Sequence, residues 1–450
     1  MESNKLKKDS LSVLETVALS VAIMGPSASI SVVIIMMASL TNYSAPLVLF
    51  ISMVCVGLVS VSIIKLNQYF PSSGSVYFFA EEILGKRAGF ISGWLIVFTY
   101  LVLGVSCTAI AGSDLQSILA GFGVNIHWEL IIFIIMVFVW YLAGRDAKVS
   151  IRVLLVLEII SMSILLILSI IIIIKASAAT GLSPAPFKSG GNSLSSIAIA
   201  SVFGFLAFSG FEGASSLGEE SKNPQKTIPI AVASAIIISG IFFIIVAYAQ
   251  VLGFGLTPDG IKALTGSDTP LADLASKYLF SGIPLIIMLC VSISFFSSTL
   301  GCISAGARIL FTMGRDGMLS KAFYRTHRKH HTPYFSINIL TAVSILIFVG
   351  CFRLKAIDVG RYAATVGTLA LLLSYMLATI CAIVFFHRNK VWKGAKLILP
   401  VLSVCILGII FVFNIYPVPE YPVNLLIFGL LIWLIAGLLL SLRIKTDLSK

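Results

Sequence analysis

The stretch Phe205–Pro229, FLAFSGFEGASSLGEESKNPQKTIP, decides the fold. It runs as an apolar membrane segment, is interrupted at Ser209-Gly210, and ends in a charged stop around Glu219, Glu220 and Lys222. Backbone N–H and C=O groups in hydrocarbon are costly when unpaired, so irregular chain at membrane depth is tolerated only against protein or beside a water-filled cavity. A broken span is therefore a candidate binding site.

The surrounding chain supports a membrane setting. Its 450 residues are 58% hydrophobic and 11% charged, with a mean hydropathy of +1.05, outside the range of a soluble domain. Apolar segments of roughly 20 residues suffice to cross a bilayer. About twelve can be placed, beginning near residues 12, 45, 88, 128, 150, 195, 228, 281, 333, 361, 393 and 422. Lys5, Lys7 and Lys8 precede the first apolar run, but that run continues without a cleavage-type small-residue motif, so it reads as a span and not as a cleaved signal.

The net charge of +12 raises the question of a nucleic-acid partner, which the placement of the basic residues answers. With the N-terminus inside, 24 of the 31 Lys and Arg residues fall at cytoplasmic ends and loops. This asymmetry follows the positive-inside rule for a multi-pass protein of the cell membrane with both termini in the cytoplasm. The charge therefore reports topology and attraction to the anionic lipid bilayer, with no nucleic acid implied. The seven cysteines are scattered through apolar segments without C-x-x-C spacing and read as small hydrophobes, although Cys107 sits mid-span where it could line a pocket. His327, His330 and His331 lie in a basic loop without acidic or Cys partners, so they read as solvated. No metal or cofactor is implied, and no nucleophile or phosphate-binding constellation points to an enzyme.

A second interruption, Gly25-Pro26-Ser27-Ala28-Ser29, lies in the first span, about 20 Å past Ser12 at 1.5 Å per residue. Pro26 lacks an N–H and its ring clashes with the Ala22 carbonyl, so the helix kinks or opens there. The two breaks are five spans apart. Because five is odd, they cross the membrane in opposite directions, as expected for an inverted repeat.

Phe208-Ser209-Gly210-Phe211-Glu212, Gly218-Glu219-Glu220-Ser221-Lys222-Asn223-Pro224 and Lys226-Thr227-Ile228-Pro229 resemble the sixth-span signature of amino acid permeases of the amino acid-polyamine-organocation superfamily. Arg308–Met318, RILFTMGRDGM, and Phe70–Tyr77, FPSSGSVY, add to that resemblance. It implies an all-α polytopic membrane protein of LeuT-like fold. A 5+5 inverted repeat (spans 1–5 over residues 12–175, spans 6–10 over 193–388) has broken helices 1 and 6. Two C-terminal helices follow at 393–442, between cytoplasmic termini 1–11 and 443–450. An amino acid would sit between the breaks. Carried over, the backbone of Gly25, Ser27, Ala28 and Ser29 receives its carboxylate, since N–H groups at a half-helix N-terminus carry partial positive charge. The carbonyls near Ala22 and Ile23, with those of Phe205, Phe208, Ser209 and the Gly210 turn, receive its amino group. The family's usual span-1 glycine pattern is replaced here by Gly25-Pro26-Ser27, which removes one donor.

Two acids inside spans are functional candidates. Glu212 follows the span-6 break, where related transporters carry an acid that couples proton binding to gating; alternatively it caps free N–H groups of the unwound segment. Glu158 in span 5 stands where many relatives carry a lysine. It is a protonatable switch, or it holds a cation with Ser298 and Thr299 of span 8, or it hydrogen-bonds a neighbouring helix. Phe205, Phe208 and Phe211 recur at helical spacing and read as packing, with Phe208 the candidate gate. Small or apolar residues of span 3 (Ser106, Cys107) and span 10 (Thr365, Gly367, Thr368) form the expected walls. No basic residue was placed on them, which favours a neutral amino acid, with an amine possible if Glu158 or Glu212 is its counter-ion. Proton-coupled symport is the expected activity, sodium the alternative ion, and an exchanger or a transport-inactive sensor the alternative functions.

Overall fold

The computed structural model describes residues 6–444 apart from 281, 393, 417, 419 and 420. Lys5, Lys393, Lys445 and Lys450, counted above on the basic side, lie outside the described residues. Sixteen α-helices form among the described residues. The first span is two helices, α1 (Val13–Met24) and α2 (Pro26–Thr41), and the second is α3 (Ala45–Tyr69). A short α4 (Val76–Leu84) precedes the third to fifth spans, α5 (Lys86–Gly121), α6 (Trp128–Ala143) and α7 (Ala147–Thr180). The sixth begins as α8 (Leu194–Ala207) and continues as a 3₁₀ segment, Phe211–Leu217; α9 (Pro224–Phe254) is the seventh. Two short helices, α10 (Pro258–Thr265) and α11 (Pro270–Tyr278), lead into the remaining spans: α12 (Ile283–Arg315), α13 (Tyr334–Gly350), α14 (Ala356–Arg388), α15 (Ile398–Ile415) and α16 (Leu426–Ser441).

The expected all-helical polytopic architecture is therefore present, with helix starts within about five residues of the positions read from the sequence. Among the described residues nine stretches are long and apolar enough to cross a membrane, the first of them, Val13–Tyr69, holding two helical crossings; α6 and α13 are shorter apolar helices. Helix α6, about 24 Å long, exposes Leu130, Phe133, Ile134 and Phe138 outward and buries Ile131, Ile132 and Ile135. An exposed apolar face of this kind belongs against lipid. Proline sets one boundary differently: α9 begins at Pro224, four residues before the expected start. The missing N–H of Pro224 falls where helix amides are unpaired anyway.

The basic side of the molecule is closed. The segment before α1 pairs with the chain leaving the sixth span, through a Leu11–Ser221 bridge with Ser10 N–H donating to Glu220 O at 2.9 Å and Lys222 N–H to Leu11 O at 3.1 Å. Ser12 and Glu15 form a capping box at the α1 N-terminus, and Arg152 of α7 donates to Glu15 at 2.9 Å. Lys7 reaches Asp146 at 2.7 Å. Burial pushes the Asp146 carboxyl up, but hydrogen bonds from Lys7 and the Lys148 amide outweigh it and hold the group below its ordinary range. Deeper in, Glu220 pairs with Arg308 of α12, and both side chains are buried. Arg315 bridges Glu219 at 2.6 Å and Asp316 at 3.2 Å, and the Tyr77 hydroxyl of α4 donates to Asp316 at 3.1 Å. The charged stop of the opening stretch is thus built into a closure.

The opposite side is open. A cavity of about 510 Å³ is lined by Ser31 and Val32 of α2, Asp114 of α5, the turn between α10 and α11, Phe295 of α12, and Lys355 and Arg361 at the start of α14. Phe295, one of its lining residues, is the chain neighbour of Ser294.

Candidate substrate and coupling site

Both expected breaks are formed, each on a glycine. Gly25 adopts φ +51° and ψ +66°, ending α1 and starting α2; its N–H folds back onto Val21 O and Ala22 O at 3.0 and 3.1 Å. Pro26 then opens α2 at the first helical position, where its fixed φ is favourable. Gly210 adopts φ +94°, and its N–H donates to the Tyr375 hydroxyl of α14 at 3.3 Å. Backbone in this region favours glycine because other residues clash with their own carbonyl.

The breaks face each other through one side chain. A Cβ built on Gly210 would stand 2.1 Å from Ile23 Cγ2, one on Gly213 2.5 Å from Ile23 Cδ1, and one on Gly301 of α12 2.7 Å from Ile23 Cγ1. Ile23 therefore fills a socket made by three glycines from the sixth and eighth spans. Ser20 stitches the same halves together, donating to Phe211 O at 2.7 Å and accepting from Ala214 N–H at 2.8 Å.

Fewer backbone donors are uncommitted at the start of α2 than the sequence implied. Ala28 N–H donates to Ser294 Oγ at 3.3 Å and Ser29 N–H to Gly25 O at 2.8 Å. Among the described residues this leaves the Ser27 amide as the uncommitted donor between Pro26 and Ser29, beside a buried Ser27 Oγ that has no partner. Ser29 Oγ donates to Met24 O at 2.6 Å. Where the amino group was expected, Ala22 O, Phe205 O and Phe208 O each accept a turn hydrogen bond, and the buried Ser209 Oγ has no partner among the described residues.

Glu212 is wholly buried and held by two tyrosines. Tyr100 of α5 donates to Oε1 at 2.7 Å and Tyr375 of α14 donates to Oε2. The carboxylate also meets its own backbone amide in the unwound segment, so the capping alternative left open above stays beside the coupling one, and Tyr375 reaches the Gly210 amide. Sequence reasoning missed both tyrosines, whose signal was a phenol placed mid-span, where a buried hydroxyl needs a partner. Tyr375→Phe would leave both a carboxylate oxygen and the Gly210 amide unpaired, at about 1–3 kcal/mol for each group. Tyr100→Phe would orphan the carboxylate oxygen alone. Thermal unfolding of the purified variants should therefore rank Tyr375→Phe below Tyr100→Phe, with equal midpoints contradicting the double role of Tyr375.

Glu158 is 2% exposed and faces Ser294 of α12, one turn before the expected Ser298, with Ser297 beside it. Ser294 Oγ donates to Oε2 at 3.3 Å while accepting the Ala28 amide, so a short relay joins Glu158 to the start of α2. Oε1 has no partner among the described residues. Ser298 instead donates to Ser294 O at 3.0 Å and lies against Gly25, and Thr299 pairs with Thr108 at 3.0 Å. Of the alternatives left open for Glu158, the hydrogen bond to a neighbouring helix is present, from Ser294, while Ser298 and Thr299 do not join it because α12 turns Ser298 toward the break and Thr299 toward α5. Cys107 is half-buried. Phe208 packs edge-on against Phe243 of α9 at 5.1 Å and Phe211 against Tyr375 at 4.9 Å. The supposed walls of α5 and α14 touch directly: Ser106 Oγ donates to Gly360 O at 2.7 Å, and Leu103 meets Gly367. Basic residues do reach the approach to the site, since Lys355 and Arg361 line the vestibule with Asp114.

Among the described residues, nine long apolar stretches with two shorter apolar helices, paired glycine breaks and one-sided closure define a transporter fold of the LeuT-like class. A family model described as amino acid permease matches residues 11–439, and the chain belongs to that family. It is 25% identical over 328 residues to a branched-chain amino acid permease of Lactococcus lactis, covering 68% of this chain and 69% of that one. It is 24% identical over 312 residues to a low-affinity putrescine importer of Escherichia coli, covering 68% and 67%. A crystal structure of an Eremococcus coleocola manganese transporter mutant superposes with a TM-score of 0.60 at 16% identity, covering 96% of this chain and 94% of that one, a likeness of fold.

Proposed function

We propose that this chain moves a neutral amino acid into the cell together with a proton, by alternating access about the two breaks. The observation that carries the reading is Glu212, a buried carboxyl held by Tyr100 and Tyr375 directly after the span-6 break. Protonation would weaken the hold of those hydroxyls and free the Gly210 turn to rearrange. Glu158 is the second coupling group: its proton state is relayed through Ser294 to the Ala28 amide, at the end of α2 that would receive a carboxylate. Under the positive-inside rule the basic, closed side would be the cytoplasmic one, which would put the cavity lined by Asp114, Phe295 and Arg361 on the outer side. The substrate side chain would lie near Ile23, Cys107 and Phe205, an apolar set consistent with the branched-chain substrates named for one relative.

An amine is the second reading. The unpartnered Glu158 Oε1 and the vestibule residue Asp114 favour it, as does the putrescine relative.

Proteoliposome uptake decides between them. A proton gradient directed inward should drive accumulation of leucine, isoleucine or valine above equilibrium, whereas a sodium gradient should not. Glu158→Gln should lose that accumulation by about tenfold or more while retaining one-for-one exchange. Uptake indifferent to both gradients in the unaltered protein would assign an exchanger, and accumulation of putrescine alone would assign the amine.

A further inference from the structure

The chain between α12 and α13 turns on His327, which is exposed yet engaged through one ring nitrogen. Its Nδ1 accepts the backbone amides of Lys329 at 3.2 Å and His330 at 3.3 Å. Its own N–H donates to Thr332 O at 2.8 Å, and its carbonyl accepts the His331 amide at 2.9 Å. The His330 ring stacks on that of His327 with centroids 4.8 Å apart. His331 adopts φ +53°, an unfavourable conformation for a residue with a side chain, so the turn is held against a local backbone cost. A backbone amide can only donate, so the lone pair on Nδ1 holds the turn, and that nitrogen must be unprotonated for it to form.

The hairpin is tied to the closed side of the molecule. Thr332 Oγ donates to Gly144 O at 3.0 Å, at the end of α6. Gly144 leads into the α6–α7 turn, whose Asp146 holds Lys7 of the segment that pairs with the chain leaving the sixth span. We propose that the hairpin is an acid-sensitive latch on the basic side: a proton on His327 Nδ1 opens the turn and, through Thr332 and Gly144, loosens the grip of the α6–α7 turn on the N-terminal segment.

The surrounding charges set the direction of the switch. Arg325, Arg328, Lys329 and His331 are exposed on the hairpin itself, Arg145 and Asp146 face it from the α6–α7 turn, and Tyr334 of α13 meets the His327 ring edge-on at 6.4 Å. Cations outnumber the single carboxylate, so a further positive charge on the stacked rings is opposed. Burial first, and then His327, Arg145 and Lys329, hold His330 below the ordinary histidine range against the pull of Asp146. A histidine held low in the folded hairpin supports it above that range, and the support is lost as pH falls through the ordinary histidine value. Loss of the His327 acceptor has the same sign. The Asp146 carboxyl, held below its ordinary range, stays ionised across this interval, so the Lys7 pair is not the group that titrates. Histidine clusters that charge in this way are a recurrent means of releasing a packed contact.

Amide hydrogen exchange of the full-length protein in detergent tests the latch, once corrected for the chemical pH dependence of exchange. Between about pH 7.5 and about pH 5.5 the Lys329 and His330 amides should lose roughly fivefold or more of their protection, as two acceptor bonds are given up. The Leu11 and Lys222 amides, which close the basic side, should lose protection with them. His327→Asn, whose Oδ1 takes the place of Nδ1 and cannot be protonated in this range, should keep both sets protected at either pH. His327→Lys, a cation without an acceptor, should show the acid pattern already at the higher pH. Protection unmoved by acid, or an equal acid response in His327→Asn, would overturn the proposal. If His327→Asn fails to hold the turn at the higher pH, His327→Lys carries the test, and unaltered protection there would overturn it. Loss confined to residues 329 and 330, with Leu11 and Lys222 unmoved, would also overturn it, leaving a local turn and no latch. These readouts need no substrate, so their failure is separate from that of the uptake experiment.

Discussion

Gly210→Ala is expected to reduce transport to background and to destabilise the protein, although it adds a single methyl group. Two costs combine. The φ of +94° is strained for alanine by about 1–3 kcal/mol, and the new Cβ would lie 2.1 Å from Ile23 Cγ2. Ile23 cannot yield, because Gly213 and Gly301 already touch its other branches at 2.5 and 2.7 Å to a built Cβ. Overpacking a site of this kind adds about 1–3 kcal/mol. The measurement is uptake in proteoliposomes alongside thermal unfolding in detergent. Gly57→Ala is the control, since nothing lies within 4 Å of a Cβ at that position. Ile23→Ala in the Gly210→Ala background should recover part of the stability, because the clash is removed and only the backbone strain remains. Wild-type uptake by Gly210→Ala would mean that the socket is not a tight contact between the two breaks.

The second large effect is at the closure. Arg308→Met should destabilise by about 3–5 kcal/mol, since it leaves Glu220 buried without its cation. The double variant Arg308→Met, Glu220→Met should unfold near the wild-type temperature or above it, because a buried ion pair often contributes little beyond what well-packed apolar residues provide. The ordering of the three midpoints is the test. A single variant as stable as the parent would show that the pair is hydrated and not a sealed part of the closure. Uptake by the double variant then separates stability from gating: a stable protein with altered transport assigns the pair to holding the basic side shut.

Much of the architecture was legible in the sequence because the bilayer imposes a simple rule on composition. Long apolar runs had to be helices, and Gly25-Pro26 and Ser209-Gly210 marked where they could kink or open; the structure opens both, whereas Gly204 of the same run stays inside α8. The partners were less legible. Tyr100 and Tyr375 lie 112 and 163 residues from Glu212, and nothing local marks them as its ligands. Ser294 was overlooked in favour of Ser298 because both lie on α12, and helical spacing places them one turn apart without saying which turn meets Glu158. The Phe spacing at 205, 208 and 211 could not reveal that Phe208 turns to Phe243, a residue of the next span. Arg308 was noted only as part of a motif. Its burial follows from the path of the chain after Gly218, whose built Cβ would stand 2.5 Å from the Ser72 backbone.

The bridge between Leu11 and Ser221 also constrains how the molecule is made. These residues are 210 positions apart, and at about 5–20 residues per second the first waits roughly 10–40 s for the second to be synthesised. Through that interval the first five spans enter the membrane with Ser20 lacking Phe211 and Ala214, and Ile23 lacking its glycines. The N-terminal half is therefore an unfinished insertion intermediate until the sixth span arrives, and the Ile23 socket stays incomplete until Gly301 of the eighth follows.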